Sequence, residues 1–143
     1  MKKQIIILIT VLTFVSSAYA QTSSLPKILT DGIETYKKDG YSKAFDVWLT
    51  GSPLEKDTTT KVNITGGIAQ IEAGLGKFLG YEYLGTAPFT PSVKRYYLVF
   101  LYEKGPLYTW FEIYSREGKD IIPSFDCNTK ANLILPASFI EKK

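Results

Sequence analysis

The chain contains no histidine and only one cysteine, Cys127. Without histidine there can be no Ser-His or Cys-His nucleophilic pair, no imidazole zinc site and no imidazole general base, the commonest at neutral pH. One cysteine cannot close an intrachain bridge, so the fold rests on packing alone. Cys127 falls in an expected strand and reads either as a small buried hydrophobe or as a thiol for intermolecular or reactive chemistry. A charge excess is also lacking. Lys+Arg number 17 and Asp+Glu 14, and two of the basic residues are Lys2 and Lys3, at the extreme N-terminus. Residues 21–143 are then close to neutral, which argues against a nucleic-acid or anionic-membrane partner.

Long apolar runs are missing everywhere except at the start. Lys2 and Lys3 form a basic n-region, Ile5 to Val15 an apolar h-region, and Ala18-Tyr19-Ala20 a small-residue cleavage motif. This is the pattern of a secretory signal peptide, and the h-region is shorter than the about 20 apolar residues that a bilayer crossing needs. The alternative is a retained N-terminal anchor. Gln21 stands where a bacterial lipoprotein would need cysteine. The expected organisation is therefore a signal peptide at residues 1–20 and one α+β domain at 21–143. The domain is expected in the periplasm or secreted, with no membrane insertion after cleavage. Its length is enough for one real core.

Within that domain the apolar period changes once. Leu25, Ile28, Leu29, Ile33 and Tyr36 recur at helical spacing, with Ser23 or Ser24 as the N-cap, Pro26 in the first turn and Gly40 as the stop. Ala44, Phe45, Trp48 and Leu49 mark a second helix ending near Gly51. The polar stretch from Ser52 to Thr60 reads as a loop or helix lead-in. Ile64, Ile68, Ile71, Leu75 and Phe78 make a third helical stripe. Gly66, Gly67, Gly74 and Gly76 interrupt it, each at a cost of about 1 kcal/mol relative to Ala. Either packing overrides that cost or the glycines admit a close neighbour.

From Tyr81 the period is two. Strands are predicted over Tyr81 to Ala87, Val93 to Glu103, Pro106 to Arg116 and Lys119 to Asn128, with tight turns at Lys104-Gly105 and Glu117-Gly118. Helices followed by an antiparallel meander make an α+β fold with helices packed on one sheet face. Pairing the strands through those turns puts Tyr96, Leu98, Phe100, Leu107, Thr109, Phe111, Ile113, Ile122, Ser124 and Asp126 on one face. Arg95, Tyr97, Val99, Leu101, Tyr108, Trp110, Glu112, Tyr114, Ile121 and Phe125 fall on the other, and a one-residue slip would exchange the faces of a strand. Neither face is polar. The second, rich in tyrosine, carries the expected interface: Arg95, Tyr97, Tyr108, Trp110 and Tyr114 are its candidate residues, for a homodimer or another partner. The apolar tail from Leu133 to Ile140 is expected to dock as a short segment.

The strings Gly76-Lys77-Phe78-Leu79-Gly80-Tyr81-Glu82, Ser92-Val93-Lys94-Arg95-Tyr96-Tyr97, Tyr102-Glu103-Lys104-Gly105-Pro106 and Ser124-Phe125-Asp126-Cys127-Asn128-Thr129 follow one another in a distinctive order. In that order the chain resembles small exported bacterial proteins with a nuclear transport factor 2-like fold. The resemblance implies a cone of helices against a curved antiparallel sheet, often with a pocket between them. It departs at Asp120-Ile121, where such relatives usually carry Trp. Its motifs are structural, and they name no cofactor. Ketosteroid-isomerase-like enzymes of that superfamily use such a pocket with a carboxylate base and a Tyr or acid donor.

Two functions follow. One is a binding domain for a small apolar ligand or a protein partner, through the cone pocket or the aromatic sheet face. The other is a histidine-free proton-transfer enzyme, with Asp126 or Glu112 as the carboxylate and Tyr96 or Tyr36 as the hydroxyl donor. Against the second, Asp126 also reads as a solvated strand-end residue, and Glu112 as half of a cross-strand ion pair with Arg95 or Arg116. Other strings fail on context. Gly74-Leu75-Gly76-Lys77 lacks the spacing and following Ser/Thr of a phosphate loop, and Ser24-Leu25-Pro26-Lys27 lies where a helix cap explains the serine. Asn63-Ile64-Thr65 is a glycosylation sequon. No acidic cluster has calcium-loop spacing, so no metal is expected.

Overall fold

Three helices form first along the chain, each where an apolar stripe recurs at helical spacing. In the computed structural model, which describes residues 25–141, α1 spans Lys27–Asp39 and α2 spans Tyr41–Trp48. Residues 1–20, expected to be a signal peptide, and the expected capping serines Ser23 and Ser24 lie outside the described residues. Leu29, Ile33 and Tyr36 of α1 and Ala44, Phe45 and Trp48 of α2 point inward and are buried. Helix α3 spans Thr58–Leu75 and begins ahead of the expected stripe. Asp57 causes this: its carboxylate accepts from Thr60 N at 2.9 Å and from Thr60 Oγ1 at 2.6 Å, satisfying a donor the first turn leaves open. The threonine run is thus the first turn of a helix. Helices α1 and α3 both end at glycines of positive φ, Gly40 at 86° and Gly76 at 84°, a conformation that costs glycine little.

Phe78, expected to close the third helix, instead opens the sheet. The strands are β1 (Phe78–Pro88), β2 (Val93–Tyr102), β3 (Gly105–Arg116) and β4 (Lys119–Asn128), in the order β1-β2-β3-β4 and antiparallel throughout. Gly105 pairs with Tyr102, so the β2–β3 turn is Glu103-Lys104, one residue earlier than expected. The architecture is α+β, with the N-terminal helices packed on one face of a curved antiparallel sheet. Among the described residues no helix is long and apolar enough to cross a membrane.

Register decides which side chains meet the helices. Leu98, Phe100 and Tyr102 of β2 and Leu107, Phe111 and Ile113 of β3 lie in the helix-side core, as their alternation predicts. The last strand differs from the expected pattern. A register shift follows Glu112, so Phe111 pairs with Phe125 and Trp110 with Asp126. Ile122 and Phe125, three residues apart, then both face the helices, which strict alternation forbids. Pro123 sits inside the irregular stretch, where the ladder does not need its missing N–H. Phe125 moves to the core, and Asp126 leaves the helix-side face for the free edge of β4, where its carboxylate turns back onto Cys127 N.

Under α1 and α2 the core is aromatic and close. The Trp48 indole lies against Phe111, with centroids 5.1 Å apart, and Tyr36 stacks on Phe78 at 4.2 Å. Gly32 makes room for the indole: a Cβ there would stand 1.9 Å from Trp48 Nε1. Burying each large apolar side chain here contributes about 1.5–3 kcal/mol.

Part of the outer face of the sheet is covered by the chain itself. After β4, α4 (Ala131–Ile134) and α5 (Ala137–Ile140) fold back, and Ile134 and Leu135 join Tyr97 in a second buried cluster. Phe139 packs on Tyr97 at 5.1 Å and over Gly85, where a Cβ would approach the ring to 2.7 Å. The tail docks, and its place is the aromatic face.

Candidate functional site

Helix α3 stands off the edge strand β4. Ile68 is its one buried residue, and between the two elements lies an open cleft of about 500 Å³. Ile64, Ile68 and Ile71 line one wall, Pro123 and Phe125 the other, and Leu54 one end. Three isoleucines at steps of four and three put their side chains on one side of α3. The bulge in β4 turns Phe125 toward them. One glycine adds to the width. Nothing lies within 4 Å of a Cβ built at Gly66, Gly67 or Gly74, so no part of the chain approaches them, and Gly67 borders the cleft.

The polar groups of the cleft sit around this apolar floor. Thr60, Asn63, Ser124 and Asp126 line it, together with Cys127. Asp126 is exposed. Its Oδ1 accepts from Cys127 N at 2.8 Å, which satisfies an edge-strand donor and blunts the edge against pairing. Cys127 is half-buried, and burial, reinforced by neighbouring Asp126, pushes its thiol up to about 11. At neutral pH it is an inert thiol.

Beside the cleft, a partly buried chain of hydrogen bonds ties α1, α3 and the sheet together. The Tyr36 hydroxyl donates to Glu72 Oε1 at 2.8 Å and lies 2.8 Å from the Tyr102 hydroxyl. With the Tyr36 proton committed to Glu72, Tyr102 donates to Tyr36. Burial, then the neighbouring hydroxyl, raises Tyr36 well above the usual phenol range, and burial holds Tyr102 at about 12. Both hydroxyls are consumed within the chain of bonds. Neither is left to hold a developing oxyanion, which demands a donor aimed at the reacting atom. Tyr102 and Glu72 were not singled out in the sequence, and the one signal was an acid beside the apolar stripe of α3.

The other sequence candidates scatter. Glu112 is opposite Arg95 in the ladder, and its Oε2 accepts from Arg95 Nη2 at 3.0 Å. The Arg95 guanidinium also lies over Trp110 at 4.0 Å and over Phe89 at 4.9 Å, so charge pairing and cation–π contact fix it together. Glu112 is therefore the partner of an arginine on the outer face. Tyr96 lies on the helix side, near Tyr83, and burial raises its phenol. Of the expected interface, Tyr97 is buried under the tail, with Tyr108 and Trp110 packed in the same cluster. Tyr114 is half-buried, opposite Ile121. The apolar area that prompted the dimer expectation is thus partly covered from within. Asp126 and Glu112 are not brought together with Tyr36 or Tyr96 in one enclosed pocket. Among the described residues no three Cys, Asp or Glu side chains converge as metal ligands.

No family model and none of the curated proteins matches the chain. Among solved structures it is similar to a DUF4783 family protein from Bacteroides uniformis. Identity is 12%, the match covers 68% of this chain and 93% of that one, and the TM-score is 0.45. Likeness at that level carries no argument about chemistry.

Proposed function

We propose that this chain is an exported binding domain that takes a small apolar ligand in the cleft between α3 and β4. The observation that carries the reading is the cleft itself. A space of about 500 Å³ is walled by Ile64, Ile68, Ile71 and Phe125 and bordered by a glycine with open space where its side chain would be. Clefts of this size, mostly apolar with a few polar groups around them, suit small molecules. Export rests on the n-region, h-region and cleavage motif of residues 1–20. The finer assignment to a nuclear transport factor 2-like cone rests on the motif order from Gly76 to Thr129. A pocket between helices and sheet is what that assignment would lead one to expect. The proton-transfer alternative needs an acid and a free phenol in one closed pocket, and the exposed Asp126, the paired Glu112 and the mutually bonded Tyr36 and Tyr102 favour binding over it.

The test uses a neutral apolar fluorophore, N-phenylnaphthylamine, titrated against folded protein. Gly67→Leu fills the cleft, and Gly66→Leu makes the same exchange at a neighbouring position that does not line it. Both substitutions gain about 0.8–1 kcal/mol of helix propensity, so loss of binding cannot be blamed on unfolding. The expected outcome is saturable binding by wild type and Gly66→Leu, weakened at least tenfold in Gly67→Leu. Equal binding by all three proteins would place the ligand elsewhere.

A further inference from the structure

Among the residues that line the cleft, one carries a charge. Asp126 lines it, and no lysine or arginine does. A second carboxylate stands close by: Asp57 is held on the backbone N–H and hydroxyl of Thr60, itself a lining residue. Its hydrogen bonds from Thr60 hold that carboxyl below the usual range, so it is ionised at neutral pH. Lys61, next along α3, is turned away to Asp46, with Nζ 2.7 Å from Oδ1. A bound molecule therefore meets an apolar floor, two hydroxyls and an amide, and the single carboxylate of Asp126.

We propose that the cleft selects a small amphiphile with a cationic amine head, seating its apolar body on Ile64, Ile68, Ile71 and Phe125 and its head beside Asp126. The proposal rests on the reading of the cleft as a ligand site and adds the class of molecule it takes. Between an ammonium and an exposed carboxylate at about 4 Å, the attraction in a water-like medium is worth roughly a fivefold gain in affinity. A carboxylate head in the same place would be repelled to a similar degree. Fatty acids, the commonest anionic amphiphiles, are then the class the site rejects.

Three probes share one chain length and differ only in the head: dodecylamine, dodecanol and dodecanoate. Each is titrated below its micelle concentration at low ionic strength as a displacer of N-phenylnaphthylamine. The amine is expected to displace at about fivefold lower concentration than the alcohol and about twentyfold lower than the carboxylate. Asp126→Asn should bring the amine and alcohol to within twofold, and Asp126→Lys should put the carboxylate first. Added salt should erase the difference. If the carboxylate matches or beats the amine on wild type while Gly67→Leu still abolishes displacement, the cleft stands and the charge selection is overturned. If no head displaces the fluorophore, both readings fail together.

Discussion

Gly32 in α1 and Gly67 in α3 are both helical glycines, and they mark two opposite ways of meeting the sheet. At Gly32 the space of the missing side chain is filled by the Trp48 indole, 1.9 Å from where a Cβ would stand. At Gly67 there is nothing within 4 Å. The first half of the helical layer is therefore packed to the limit, with Trp48, Phe111, Tyr36 and Phe78 interlocked beneath it. The second half is held beside the edge strand by Ile68, the Lys61–Asp46 ion pair and the bond from Tyr36 to Glu72. A core that closed uniformly would leave no room for a ligand, and this one is left open between α3 and β4.

The sharpest way to break that contrast is to add one methyl on each side. Gly32→Ala should cost about 3 kcal/mol despite its better helix propensity, because a rigid indole would have to leave its seat. A denaturant midpoint unchanged or raised would show that the first half is as loose as the second. Next in size is the tether. Tyr36→Phe removes the hydroxyl shared by Tyr102 and Glu72 and should cost about 2 kcal/mol. Amide exchange should then quicken at the C-terminal end of α3 while α2 keeps its protection. Uniform loss of protection would mean that α3 does not open separately.

Alkaline pH attacks the same tether. Tyr36 and Tyr102 have folded values above the phenol's ordinary 10, with Tyr102 at about 12. Their contribution is complete below pH 10 and is lost as pH rises through the folded values, so the folded state binds more protons across that window. Stability should fall by about 2 kcal/mol or more between pH 10 and pH 12, and Tyr36→Phe should flatten the fall. A wild-type curve flat over that range would contradict the buried pair. The smallest effect is expected at Gly66→Ala, which faces solvent and should stabilise by about 0.5–1 kcal/mol. Destabilisation there would mean that something packs against α3.

Most of the fold was legible because the periods are long and the punctuation is explicit. Gly40 stops a helix, Glu117-Gly118 turns a hairpin, and β2 and β3 alternate without interruption. The misread positions share a cause: a local device that a period cannot encode. Asp57 capping Thr60 pulls the start of α3 back to the threonine run. One irregularity around Pro123 exchanges Phe125 and Asp126, and with them the candidate site. Asp126 was expected on the helix-side face and instead sits at the sheet edge, while Phe125 became a wall of the cleft. The aromatic face was legible in composition, but its cover was not, because an apolar tail of a few residues says that it docks and not where. Nor does any periodic signal mark an opening between α3 and β4. The glycines of α3 came nearest, since each costs helix stability and demands a reason.

Cys127 reports on the cleft directly, because its thiol lines the space that a ligand would fill. The measurement is its alkylation rate by iodoacetamide at pH 9, in folded protein with and without saturating N-phenylnaphthylamine, with Gly67→Leu alongside. The account predicts slow alkylation in the free protein, slowing at least a further tenfold with ligand, and a rate in Gly67→Leu that the ligand leaves unchanged. A Cys127 rate indifferent to saturating ligand in the wild-type protein would contradict the assignment of the cleft between α3 and β4 as the binding site.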